Sequence, residues 1–307
     1  MKSIQGRMLR AIAPWAMGCA LFVLGTGRSQ AESIAPGFAG DYSLVNLGSA
    51  PGVPTSYGGL TILSGSQDTL LLGGAANGGA GAIYAVGITR DSGGHINGFT
   101  GTTTLYSDAP FIDGGLAYGP GGVLFYTGYN TNTLGQIKPG SSTTDKTIDL
   151  TALGISSSVG TLVFVPSYAP GAGQFKIASY SSGGFYTADL TPDGSGTYDV
   201  SNVTLETTIP FGPEGLVYIT PGSPGFSVPS MLISEYQQGR VSAYEVDANG
   251  NPILATRQDF ITGLVGAEGA FLDPISGDFL FSTFGSNDHI VVVQGFVSAV
   301  PEPGSLV

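Results

Sequence analysis

From residue 58 onward, short apolar runs alternate with Gly-, Pro- and Ser-rich turns, and one segment recurs five times. Its copies are Gly58-Gly59-Leu60-Thr61-Ile62, Gly114-Gly115-Leu116-Ala117-Tyr118, Gly160-Thr161-Leu162-Val163-Phe164, Glu214-Gly215-Leu216-Val217-Tyr218 and Glu268-Gly269-Ala270-Phe271-Leu272, spaced 56, 46, 54 and 54 residues apart. A period of that size marks a repeated supersecondary unit. Each copy is followed by a turn and a second apolar run, as in Leu70-Leu71-Leu72, Met231-Leu232-Ile233 and Phe279-Leu280-Phe281. A third run follows a polar or glycine-rich loop, as in Ala82-Ile83-Tyr84-Ala85-Val86 and His289-Ile290-Val291-Val292. Runs of this length, rich in β-branched and aromatic residues and bounded by glycine turns, are strands, and each unit is a meander.

Four units have a fourth strand, at Thr103–Tyr106, Thr147–Leu150, Val203–Leu205 and Asp259–Ile261, after hairpin turns such as Asp91-Ser92-Gly93-Gly94 and Pro192-Asp193-Gly194. The fifth unit lacks one, while Tyr42-Ser43-Leu44-Val45-Asn46-Leu47 stands alone near the N-terminus. An open sheet edge is a liability that ring closure removes. The expected fold is therefore all-β: a β-propeller of five blades of four antiparallel strands, closed by the N-terminal strand. A β-sandwich or solenoid built from the same strands is the rival architecture.

Composition agrees with a turn-rich β protein: 42% of the chain is hydrophobic, only 10% is charged, and glycine numbers 50 of 307. Four of the ten basic residues (Lys2, Arg7, Arg10, Arg28) and no acidic ones lie in the first 31 residues, leaving six basic against 22 acidic, a formal charge near −16. Such a surface repels phosphate backbones and suits cations, so nucleic acid is excluded as a partner. The single Cys19 also lies in this stretch, so the remainder has neither disulfides nor thiolate metal sites.

The two ends read as addresses. Residues 1–31 have the basic start, the apolar run from Ala11 to Gly25 and the Ser29-Gln30-Ala31 cleavage site of a secretory signal, which makes Glu32 the mature N-terminus. Residues 32–297 form the propeller domain. The end, Val300-Pro301-Glu302-Pro303-Gly304-Ser305-Leu306-Val307, resembles the opening of a PEP-CTERM sorting segment. In that family a membrane helix and a basic cluster follow, and here they do not, so 298–307 reads as the start of a truncated segment. The resemblance implies an exosortase partner and delivery to the outer envelope or extracellular matrix of a Gram-negative bacterium, often with exopolysaccharide.

In a propeller, the loops entering the innermost strands share one face with the loops between second and third strands, and sites sit at that mouth of the channel. Glu214 and Glu268 occupy one column of adjacent blades, and Asp113 falls one residue earlier in its own. Carboxylates converging on one axis suit a hard cation, with calcium the expected cofactor. The alternative is that they are half-exposed channel residues hydrogen-bonded to backbone amides. The Glu-Gly-Leu and Glu-Gly-Ala segments also resemble the inner-strand motif of gluconolactonase and NHL-type propellers. That resemblance implies a divalent metal in this column, but those relatives have six blades and three of the five columns here hold glycine.

The loops between second and third strands add Asn77, Tyr129, Asn130, Asn132, Tyr180, Glu235, Tyr236, Gln237, Asn287, Asp288 and His289. Of these, Asn132, Tyr180, Glu235, Tyr236, Asp288 and His289 are the candidate ligand contacts, since aromatic rings, amides and carboxylates around a concavity are what sugar recognition uses; solvated loop tips have the same composition. His289 lies beside Asp288, but no Gly-x-Ser-x-Gly elbow supports a serine nucleophile. His95, in an outer hairpin turn, is expected to face solvent.

Two functions follow. The first is a non-catalytic envelope or matrix protein whose propeller binds polysaccharide or a surface protein, with calcium in the channel. The second is a hydrolase using Glu214 and Glu268 as its acid/base or nucleophile pair, with Asp113 tuning one of them. They differ in depth and separation: a hydrolytic pair must line a pocket, roughly 5 to 10 Å apart.

Overall fold

The structure, a computed structural model, describes residues 31–285 and 288–298. The expected secretory stretch up to residue 30, Asn287 and the expected sorting segment beyond Ser298 lie outside the described residues. Five antiparallel sheets form the blades of a β-propeller. Blade 1 is Leu60–Ile62, Thr69–Gly74, Ala82–Arg90 and Ile96–Asp108. Blade 2 is Ile112–Tyr118, Leu124–Gly128, Thr133–Ile137 and Lys146–Asp149. Blade 3 is Val159–Phe164, Phe175–Ser179, Gly184–Pro192 and Tyr198–Thr208. Blade 4 is Pro213–Tyr218, Ser230–Glu235, Arg240–Glu245 and Gln258–Thr262. Blade 5 is Ala267–Leu272, Phe279–Thr283 and Ile290–Gln294, and its fourth strand is Ser43–Gly48 from the N-terminus, paired along Ile290–Gln294.

The triple apolar runs explain the packing. Successive side chains of a strand point to opposite faces, so a run buried on both faces feeds two cores. Leu70 and Leu72 pack toward blade 5, whereas Leu71 packs toward blade 2. Phe279 and Phe281 face blade 4, and Leu280 faces blade 1. The outcome is one apolar cluster in each of the five seams.

Two features go beyond the sequence reading. Ser33–Ile34 adds a fifth strand to the outer edge of blade 4, so the segment just after the expected cleavage site is itself woven into the ring. His95 does not face solvent freely: its Nδ1 lies 2.8 Å from Oδ2 of the fully buried Asp278, beside an Arg90–Asp273 ion pair at 2.6 Å. Burying two carboxylates in the blade 5 turn requires polar partners, and the blade 1 hairpin supplies the Arg90 guanidinium and the His95 ring.

Hydroxyls stitch neighbouring blades at the axis. Thr127 Oγ1 accepts from Gly115 N–H in its own blade and donates to the Gly160 carbonyl of the next. Ser282 Oγ accepts from Gly269 N–H and donates to the Gly58 carbonyl, repeating the stitch across the closing seam.

Candidate functional site

At the start of each inner strand of blades 2, 4 and 5 the pairing register breaks, between Ile112 and Leu116, Pro213 and Leu216, and Ala267 and Ala270. A register break of this kind re-aims a side chain, and each of these carries an acid. Asp113, Glu214 and Glu268 are thereby brought together at the axis, with one carboxylate oxygen of each lying within 4.8 Å of the others. They are 0%, 3% and 1% exposed, not half-exposed channel residues. Nor do backbone amides satisfy them: both oxygens of Asp113, Oε2 of Glu214 and Oε1 of Glu268 are buried without a hydrogen-bond partner.

Among the described residues no basic side chain compensates them, because each of the six there is engaged elsewhere. Arg90 pairs with Asp273, Lys138 with Asp145, Lys146 with Asp193 and Asp199, Arg240 with Asp259, and Arg257 with Glu235 and Asp259. Lys176, fully buried, donates to Thr187 Oγ1 and Asn251 Oδ1. Burial raises the pKa of all three axial acids, and their mutual repulsion raises those of Glu214 and Glu268 further. An isolated buried carboxylate is costly, so the trio must hold protons or an exogenous cation.

Glycines make room for it. A Cβ on Gly114 would lie 2.8 Å from Glu214 Oε2, and one on Gly160 would lie 2.7 Å from the same atom. Two of the three glycines that weaken the resemblance to metal-binding propellers, Gly114 and Gly160, are thus the space Glu214 occupies.

Tyr180 and Tyr236 stand on the same face and are only half-buried. They belong to an arc that the sequence disclosed in part: Tyr129, Tyr180, Tyr236 and Phe284, each the first residue after the second strand of blades 2 to 5. Consecutive ring centroids are 6.0, 5.7 and 6.2 Å apart. Phe284 escaped the sequence reading because it looks like one more strand residue. Burial raises the pKa of Tyr180 and Tyr236, and the carboxylates of Glu214 and Glu268 raise it further.

The other candidate contacts, Asn132, Glu235, Asp288 and His289, are buried and engaged with the protein's own groups. Asn132 is 2% exposed; its Nδ2 donates to the Ile155 carbonyl at 2.9 Å, and its Oδ1 accepts from Val159 N–H at 2.8 Å. Glu235 is fully buried between Arg257 (2.5 Å) and the Tyr244 hydroxyl (2.6 Å). Asp288 accepts from Ser56 N–H, and His289 Nε2 lies 2.6 Å from Glu32 Oε1. Loop position is visible in sequence, but the internal partners of these residues come from segments 9 to 257 residues away.

No known protein-family profile matches the chain, and no curated protein matches it. Among solved structures it is similar to the calcium form of a family AA12 carbohydrate-active enzyme of Trichoderma reesei, with 12% identity over 86% of this chain and 97% of that one and a TM-score of 0.47. A protein designated a gluconolactonase is 14% identical, over 83% and 82% of the two chains, with a TM-score of 0.46. A glucose dehydrogenase is 12% identical, over 84% and 100%, at 0.45. These likenesses are weak ones of overall shape, and the reading of the site rests on this chain's own residues.

Proposed function

We propose that this is an exported protein of the Gram-negative envelope or extracellular matrix whose propeller holds a divalent cation, calcium by preference, on its axis and recognises carbohydrate on the face above it. The carrying observation is the set of partnerless buried oxygens on Asp113, Glu214 and Glu268, with every basic residue among the described residues committed elsewhere. Hard oxygen donors with excess negative charge suit calcium. The aromatic arc of Tyr129, Tyr180, Tyr236 and Phe284 supplies flat apolar faces on which sugar rings pack.

Geometry favours this over hydrolysis. Retaining glycosidases hold their carboxyls about 5 to 5.5 Å apart and inverting ones farther, lining an open pocket. Here oxygens of three acids approach within 4.8 Å and are almost fully enclosed, an arrangement for a shared cation. The C-terminal Pro-Glu-Pro supports export and an exosortase partner on sequence grounds alone.

The test is thermal unfolding of the exported protein with excess calcium and with chelator, for wild type and Glu214→Gln/Glu268→Gln, followed by a neutral-glycan panel. Calcium at 100 times its Kd adds about 2.7 kcal/mol of stability. A melting temperature that rises with calcium only in wild type is the expected result; four superimposable curves would sink the cation reading. Loss of glycan capture in Tyr180→Ala/Tyr236→Ala, with the calcium response intact, would tie the sugar to the arc.

A further inference from the structure

We infer that Asn77 supplies a fourth oxygen to the axial cation, so that one ion is gripped by four of the five blades and pins the ring across its axis. This rests on the cation reading above and deepens it. Asp113, Glu214 and Glu268 come from blades 2, 4 and 5, and three carboxylates leave a calcium ion short of the six to eight oxygens it takes. Blade 3 contributes only Gly160, whose missing side chain is occupied by Glu214. Blade 1 has no acid in the inner-strand column, where Gly58 stands. It has Asn77 instead, in the loop that follows Thr69–Gly74.

Three observations aim Asn77 at the trio. Its backbone is left-handed, with φ +63°, a conformation that asparagine tolerates better than most residues. That conformation is fixed across the blade boundary, because Asn77 N–H donates to the Ile112 carbonyl at 2.9 Å, next to Asp113 in sequence. Its side chain is near enough to Asp113 to help hold that acid's pKa down against burial, and its Oδ1 is buried without any hydrogen-bond partner. A half-turn about Cβ–Cγ exchanges the two ends of an amide, and it would present that unpartnered oxygen to a cation shared with Asp113. In blades 2 to 5 the residue after the second strand is aromatic; in blade 1 it is Ala75, two residues before Asn77, so this sector lacks a ring.

Terbium is the probe. It is a hard, oxygen-seeking ion whose emission tyrosines sensitise, and the chain's only tryptophan, Trp15, lies in the secretory stretch. The exported full chain is titrated as wild type, Asn77→Gly and Asn77→Asp, with calcium as competitor and melting in chelator as a check on folding. Glycine accepts the left-handed backbone and removes only the side chain; aspartate keeps an oxygen and adds charge. The expected outcome is sensitised emission in wild type that calcium displaces, half-saturation raised roughly tenfold or more in Asn77→Gly, and binding at least as tight as wild type in Asn77→Asp. Asn77→Gly saturating like wild type, or Asn77→Asp binding as weakly as Asn77→Gly, would overturn the role of Asn77 and leave the cation reading standing. No calcium-displaceable emission from wild type would overturn both.

Discussion

Glu214 Oε2 rests against the α-carbon of Gly160, so close that a Cβ there would lie 2.7 Å from it, and a Cβ on Gly114 would lie 2.8 Å from the same atom. Glu214 belongs to blade 4, Gly160 to blade 3 and Gly114 to blade 2, so the carboxylate reaches across the axis over two bare backbones. Gly114→Ala would meet chiefly this flexible carboxylate, whereas Gly160→Ala would also strike the Pro213 carbonyl. We expect Gly114→Ala to weaken calcium binding with little loss of stability. Gly160→Ala should in addition cost about 1 to 3 kcal/mol, the usual range for overpacking. Terbium titration and urea unfolding of both variants check this, and equal effects in the two would contradict the geometry.

The axial acids also set a pH dependence. A carboxyl whose pKa is higher in the folded state than in the unfolded one binds its proton more tightly when folded. Its contribution to stability is full below the ordinary carboxylate value of about 4 and is lost as pH rises toward the folded value. Burial pushes Asp113 up to about 8, and Glu214 and Glu268 also move up. In chelator the melting temperature should therefore fall from pH 5 to pH 8, and calcium should flatten that slope. Asp259 and Asp145, both lowered by hydrogen bonds and cationic partners, lose their contribution only in stronger acid, whereas Asp278 and Asp288, raised by burial, add to the same fall and are not expected to respond to calcium. A chelated protein that is as stable at pH 8 as at pH 5 would contradict the assignment.

The closing seam carries a stitch whose removal is measurable. Ser282 Oγ donates to the Gly58 carbonyl at 2.6 Å and accepts from Gly269 N–H at 3.0 Å. Ser282→Ala leaves a buried amide and a buried carbonyl short of a partner, at about 1 to 3 kcal/mol each way such groups are orphaned. Thr127→Val should cost a similar amount at the blade 2 to blade 3 seam, where the same pattern recurs. Chemical denaturation of both reads the loss.

Glu235 and its neighbour Tyr236 should separate stability from recognition. Glu235→Ala leaves Arg257 and the Tyr244 hydroxyl without their buried acceptor and should cost about 3 to 5 kcal/mol. Tyr236→Ala removes a half-exposed ring, should cost about 1 kcal/mol, and should lower glycan capture. Calorimetry alongside glycan binding tests the pair; a severe loss of stability in Tyr236→Ala would make the arc structural.

The sequence by itself determined the blades and their closure. The recurring glycine-led segment, the triple apolar runs and the lone strand before residue 48 are local patterns, and strand pairing follows local patterning closely, because alternation decides which face is buried. The same column that repeats every blade singled out Glu214 and Glu268, with Asp113 one residue before it. Tertiary structure decided their depth, the pairing of the described basic side chains elsewhere, the alignment of Phe284 with three tyrosines, and the inward turn of Asn132, Glu235 and His289. The physical reason is that ring curvature brings residues of different blades together at the axis. A charge's partner there, such as Arg257 for Glu235 or Glu32 for His289, is fixed by where chains meet in space and leaves no periodic trace along the chain.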